Sequence, residues 1–250
     1  MIKFFRHIRQ NLLAEGKTRK YFKYAIGEII LVVIGILIAL QINNWNTTKI
    51  TQQESRDFTS RLLKEVKYNI QITQDEIGRE KNQISSSNNI LKMFNTERSK
   101  LKSQSLDSLL YIVIGKNRID LKLSTLNEGL NTGKIALIAS DSLRDLLYGL
   151  QTEVDELQYN EGVSAEDIDS HLTPFLYEHL NWRKMDSKSS PWKEQSGETG
   201  FPEHNSLEAL NYMLFENLID NRFFNSREQL DDYQNLKSIF ELLEKMIKNQ

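Results

Sequence analysis

The chain of 250 residues contains no cysteine. That excludes disulfides, a thiolate nucleophile, cysteine metal ligands and a thiol for lipid attachment, so an exported body would be held by packing alone. No G-x-S-x-G, no phosphate-cradling glycine loop and no dinucleotide fingerprint occurs, and neither H-E-x-x-H nor a twelve-residue calcium loop is present. No cofactor is expected from the sequence. Positive charge is scarce where nucleic acid would need it. From residue 43 onward there are 25 basic and 32 acidic residues, a net charge of −7, whereas phosphate binding needs a basic footprint. Nucleic acid is therefore not an expected partner.

One long hydrophobic run is there. Within "YAIGEIILVVIGILIALQINNWN", twelve of the 18 residues from Ala25 to Ile42 are Ile, Leu or Val. At 1.5 Å per residue the run from Tyr24 to Trp45 covers roughly 27 to 33 Å, the thickness of a bilayer's hydrocarbon core. Its aliphatic residues favour insertion by roughly 5 kcal/mol, against about 1 to 3 kcal/mol for the off-centre acid Glu28. The run is longer than the hydrophobic region of a cleaved signal peptide, and no small-x-small pair follows it. It reads as an uncleaved signal anchor at residues 24–45.

Seven Lys/Arg precede the span and only Lys49 and Arg56 follow closely, a bias that keeps the N-terminus cytoplasmic and exports the rest. The expected location is a bacterial cytoplasmic membrane, crossed once, with the C-terminal domain periplasmic. Tyr21, Tyr24 and Trp45 fall where aromatic interface anchors belong. Residues 1–23 form a basic head in which Ile2, Phe4, Phe5, Ile8, Leu12 and Leu13 share one helical face opposite Lys3, Arg6, His7 and Gln10, before Gly16. Two readings stand for it: an amphipathic helix on the anionic leaflet, or an unstructured basic segment, since helices this short are marginal alone.

Glu28 shares a helical stripe with Gly35 and Ala39, a small-x-x-x-small spacing that lets two membrane helices approach closely. The stripe makes the lipid bilayer, and through it a second copy or another membrane or envelope protein, the expected partners. Alternatively Glu28, about 6 Å inside Tyr24 by helix rise, reaches the cytoplasmic interface and contacts lipid headgroups or Lys23.

"MIKFFRHIRQNLLAEG" together with "YAIGEIILVVIGILIALQINNWN", residues 1 to 46, resembles the opening of a large family of uncharacterised single-span proteins of flavobacteria, the domain of unknown function 6090. "LNTGKIALIASDSLRDLL", residues 130 to 147, is similar to a Gly-Lys turn before a helix in the same family. The resemblance implies a location and carries no activity or catalytic residue.

Residues 46–250 read as an all-α helical bundle. Leu63, Ile70, Ile77, Ile84 and Leu91 recur every seven residues, with Phe58, Leu62 and Val66 beside them, while Thr73, Glu80 and Ser87 thin the seam. Gly78 and "SSSNN" at 85–89 predict a bend or an end. Ser105 and Ser140 stand as N-caps, "EGLNTGK" as a turn, and "RIDLKL" at 118–123 as a loop or helix start. Asn205 with Glu208, and Ser226 with Gln229, have capping-box spacing before two further helices, and Tyr233, Leu236, Phe240, Leu243 and Ile247 mark the last helix's core face.

Residues 183–205, rich in Ser, Gly and Pro, are expected to form a loop. Trp182, Trp192 and Phe201 make it a recognition surface if exposed, or tuck it onto the bundle if buried. For chemistry, Asp167, Asp169, His171 and Glu178 are the nearest approach to a metal or acid-base cluster, at a spacing that matches no zinc or calcium pattern and suits a solvated loop and helix start. Two functions of different class follow: a non-catalytic interaction, sensing or tethering module of the envelope, or an exported enzyme using those four residues.

Overall fold

The structure, a computed structural model, describes residues 18–192, 194 and 197–249, with backbone alone at Thr18, Lys20, Tyr21 and Tyr24. The amphipathic face expected at Ile2 to Leu13 and the break at Gly16 lie outside the described residues. The described residues form seven α-helices and no strand, the all-α class expected. Two compact units divide them, Met1–Asp57 and Phe58–Gln250.

The first unit holds the opening part of helix α1 (Thr18–Phe94). An 18-residue window here has a mean hydropathy of 2.6 with none of it buried, so this is a helix long and apolar enough to cross a membrane. A core helix of a soluble protein would hide such residues; here Ile29, Leu31, Ile34, Leu37 and Leu40 are each about half exposed. Trp45 is exposed, with the Lys49 ammonium 5.5 Å from its ring centroid.

The second unit begins at Phe58, the first buried residue along α1. Helices α2 (Ser103–Val113), α3 (Ser124–Thr132), α4 (Asp141–Asp167), α5 (Thr173–His179), α6 (Trp182–Ser189) and α7 (Met213–Lys248) complete it. α4 and α7 pack on α1 around one apolar core that includes Phe58, Leu62, Val66, Leu147, Leu157, Tyr233 and Phe240. A second core gathers Ile90, Leu106, Leu110, Leu176, Met185, Phe215 and Ile219.

Several local expectations are corrected. α1 does not end at Gly78 or 85–89 but runs unbroken to Phe94, because Ser86 and Ser87 face the bundle and packing overrides weak propensity, while Gly78 has open space around it. Ser105 lies inside α2, whose N-cap position is Lys102. Ser226 caps nothing: it is buried in the middle of α7, one unbroken helix, because the position lies on that helix's core face. Asn205 does accept from Leu207 N, but the helix it starts is a 3₁₀ turn, Ser206–Asn211. Ser140 caps α4 as expected, accepting from Leu143 N at 3.3 Å. The segment expected as a loop at 183–205 begins as α6, whose cap Asn181 accepts from Lys184 N at 3.1 Å.

The polar positions of the seam lie in the core, packed against the other helices as expected. Thr73, Glu80 and Ser87 are fully buried, at 0% exposure, as the centre of the stripe rather than gaps in it. Thr73 Oγ1 donates to Asn69 O at 2.7 Å within α1, Glu80 accepts from the Asn117 side chain, and Ser87 Oγ is buried without a hydrogen-bond partner. Residues 115–123 cross the bundle without regular structure, and their backbone groups need partners away from water.

Candidate functional site

Side chains supply those partners. Asn69 donates from Nδ2 to Lys122 O at 2.7 Å and accepts from Lys122 N at 2.9 Å, a two-point amide clamp. Leu123, at the N-cap position of α3, has no side-chain acceptor. Glu65 replaces it from α1, taking Thr125 N at 2.7 Å, Leu126 N at 3.0 Å and Ser124 Oγ at 3.1 Å, so a carboxylate meets the positive end of α3. At the other end Gly133 takes φ +73°, the left-handed conformation of a helix-terminating glycine. Lys134 then pairs with Glu128, which also receives Arg61; these two cations hold the Glu128 carboxyl at about 2.

Deeper still, Arg222 of α7 is 1% exposed. Its Nε donates to Val113 O at 3.1 Å, Nη1 to Ser164 Oγ at 2.7 Å, and Nη2 to Gly115 O at 3.1 Å and to Gln83 Oε1. Gln83 Nε2 donates to Gly115 O at 2.6 Å and Ile112 O at 3.1 Å. Glu80 accepts from Asn117 Nδ2 at 2.6 Å, and Glu161 takes both Ile119 N at 2.9 Å and the Tyr233 hydroxyl at 2.6 Å. A polar layer thus separates the two apolar cores at matching levels of α1 (Glu80–Ser87), α4 (Glu161–Ser164) and α7 (Arg222–Gln229).

Burial dominates its titration. It pushes the Glu76, Glu80 and Glu161 carboxyls above the ordinary 4.5, opposed by Arg79 at Glu76, by Asn117 and Arg222 at Glu80, and by Tyr233 and Ile119 N at Glu161. Burial also pushes the Arg222 guanidinium down and the Tyr233 hydroxyl up, the latter aided by Glu161. One oxygen each of Glu76, Glu80 and Glu161 is buried without a hydrogen-bond partner.

The four residues singled out for chemistry are not gathered. Asp167 Oδ1 lies 3.2 Å from His171 Nδ1, and Asp167 Oδ2 accepts from Asn221 at 2.8 Å. Asp169 is paired with Lys116, while Glu178 is 79% exposed with His179 at 3.9 Å. A π-helical turn, Ile168–Leu172, breaks the register between them. No group of three or more His, Asp or Glu able to hold a metal occurs among the described residues.

The aromatic residues separate. Trp182 is half-buried against the second core, its ring 5.0 Å from that of Tyr177, whereas Trp192 is 67% exposed. Trp182 and Phe201 share a cleft of about 610 Å³ with Glu178, Leu180, Asn181 and the 200–204 turn. α6 positions that turn: Asn181 Nδ2 donates to Thr199 Oγ1 at 2.8 Å and Phe201 O at 3.1 Å, Arg183 Nε to Gly197 O at 3.0 Å, and Lys184 Nζ to Pro202 O at 2.8 Å and His204 O at 2.9 Å. Phe201 is left 77% exposed. Glu28 is half-buried, Ala39 is exposed, and a Cβ at Gly35 would meet nothing within 4 Å.

These elements define an all-helical protein with a candidate membrane span near its N-terminus and a bundle clamped by buried polar side chains. The chain belongs to the family of unknown function DUF6090, whose model matches residues 28–161. The match begins within the span at Glu28, covers the Glu65 and Asn69 clamps and the Gly-Lys turn, and ends before the cleft. No curated protein and no solved structure matches the chain.

Proposed function

We propose that this protein is a single-pass, membrane-anchored interaction or tethering module of a bacterial envelope, with its N-terminus cytoplasmic and its bundle on the outer side of the cytoplasmic membrane. The observation that carries the reading is the uncovered aliphatic helix: a window of mean hydropathy 2.6 with none of it buried supports a lipid surround. The charge bias, seven Lys/Arg before the span against Lys49 and Arg56 just after it, supports the orientation. The open space at Gly35, on the stripe of Glu28 and Ala39, supports a helix of this chain or of another membrane protein as neighbour. The dispersal of Asp167, Asp169, His171 and Glu178 favours this class over an enzyme using those residues. A reporter active only after export, fused after Gln250 and followed by membrane fractionation, tests the reading. It should be active and sediment with membranes; activity of a cytoplasm-only reporter in its place would overturn the orientation.

A further inference from the structure

The cleft between α5–α6 and the 200–204 turn offers, from its side chains, aromatic rings and acceptors. Trp182 Nε1 is buried and donates to no protein atom, so it is the ring carbons of Trp182 that meet the cleft, next to Tyr177 and the exposed ring of Phe201. Asn181 is used up: Nδ2 on Thr199 and Phe201 O, Oδ1 on Lys184 N. Of the neighbouring cations, Lys184 turns its ammonium onto Pro202 O and His204 O and Arg183 its Nε onto Gly197 O, so both point to loop carbonyls and keep their charge beside the cleft. His204 Nε2 meets His179 O at 3.0 Å, which makes Nε2 the donor and leaves Nδ1 an acceptor in the neutral ring. The remaining polar side chains of the lining are the carboxylates of Glu178 and Glu203. Glu203 has no hydrogen-bond partner among the described residues, and Glu178 has only His179, at 3.9 Å.

A ligand for such a site brings its own donors and positive charge, together with an apolar stem to lie on the rings. A sugar, by contrast, needs donors as well as acceptors from its site. We propose that the cleft binds a lysine- or arginine-bearing peptide segment of a partner protein, the cationic head between Glu178 and Glu203 and the alkyl stem against Trp182 and Phe201. The volume of about 610 Å³ lies within the range of ligand sites, and the −7 charge of residues 43–250 steers a basic partner. The inference rests on reading the bundle as an interaction module, and names the partner's chemistry.

The test uses the full chain in detergent micelles and fluorescence anisotropy of an end-blocked, labelled Ala-Lys-Lys-Ala peptide. Binding is expected, displaced by the unlabelled peptide and by its arginine counterpart, and untouched by Ala-Glu-Glu-Ala or a chitin oligosaccharide. The pair Glu178→Gln and Glu203→Gln should weaken it about tenfold, as should Phe201→Ala, while Glu97→Gln, an exposed acid elsewhere, should not. No binding, binding equally weakened by Glu97→Gln, or displacement by the oligosaccharide would overturn the proposal. Binding in micelles does not depend on topology, so an inverted export reporter would defeat the anchoring reading and leave this one standing.

Discussion

Arg222 is the place to probe the bundle. Truncation to alanine removes the donors to Val113 O, Gly115 O, Ser164 Oγ and Gln83 Oε1, leaves Glu80 without its nearest cation, and opens a cavity at a residue 1% exposed. Each buried acceptor left unpaired costs about 1 to 3 kcal/mol, but Gly115 O keeps the Gln83 amide, and Glu80 can neutralise by taking a proton. The net loss should be about 4 kcal/mol, the size found when one member of a buried charged network is removed. For a unit of this length that lowers the melting temperature by roughly 8 to 16 °C. The assay is thermal unfolding followed by circular dichroism, with Arg222→Met as a second variant that keeps the volume. In the Arg222→Met background, Glu80→Gln should cost less than it does alone, because an uncompensated buried acid is then removed; coupling of about 1 to 2 kcal/mol is expected. An Arg222→Ala variant within about 1 kcal/mol of the parent, or strict additivity of the pair, would refute the clamp.

Three further outcomes follow from the geometry. Glu76, Glu80 and Glu161 hold their protons more tightly folded than unfolded, so their contribution is fully present below about 4.5 and is lost as pH rises through their raised folded values; the melting temperature should fall from about pH 5 to pH 7.5, and Glu80→Gln should flatten the slope, whereas an unchanged slope would count against burial as the cause. Gly129→Ala would set a Cβ 2.5 Å from Phe58 Cζ and 3.0 Å from Ile135 Cγ1, costing about 1 to 3 kcal/mol by chemical denaturation, and Gly133→Ala about 1 kcal/mol at its φ of +73° with Gly133→Asn milder. In a membrane two-hybrid assay, Gly35→Leu should weaken association strongly, Glu28→Gln less and Leu37→Ile hardly at all; equal signals would leave Glu28 as a headgroup contact only.

The helices were legible where periodicity and burial coincide. Tyr233, Leu236, Phe240, Leu243 and Ile247 are all buried at their 3 and 4 spacing, and Ser140 caps where its position before an apolar run implied. The polar layer was not legible in one helix at a time. Asn69, Glu80 and Gln83 look like flaws in an apolar seam until residues 115–123 are laid against them, and nothing local marks Arg222 as buried. A signal did exist across helices: polar residues at core spacing recur in three of them, at 80–87, 161–164 and 222–229. Ser226 failed as a cap for the same reason, since a serine before an apolar run looks alike at a helix start and at a buried polar level. In the cleft, the aromatic residues were visible, but the use of Asn181, Arg183 and Lys184 to hold the 200–204 turn depends on α6, which the Ser-rich composition hid.

The absence of native cysteine makes the anchoring claim directly measurable, because any cysteine introduced is the sole labelling site. Ser99→Cys, at an exposed position of the bundle, and Gln10→Cys, in the basic head, would each be treated in bacterial spheroplasts with a membrane-impermeant maleimide and then extracted at alkaline pH. We expect Ser99→Cys to label in intact spheroplasts, Gln10→Cys to label only after lysis, and both proteins to stay with the membrane pellet. Labelling of Gln10→Cys but not Ser99→Cys in intact spheroplasts would contradict the orientation, and release of either protein into the soluble fraction would contradict the anchor itself.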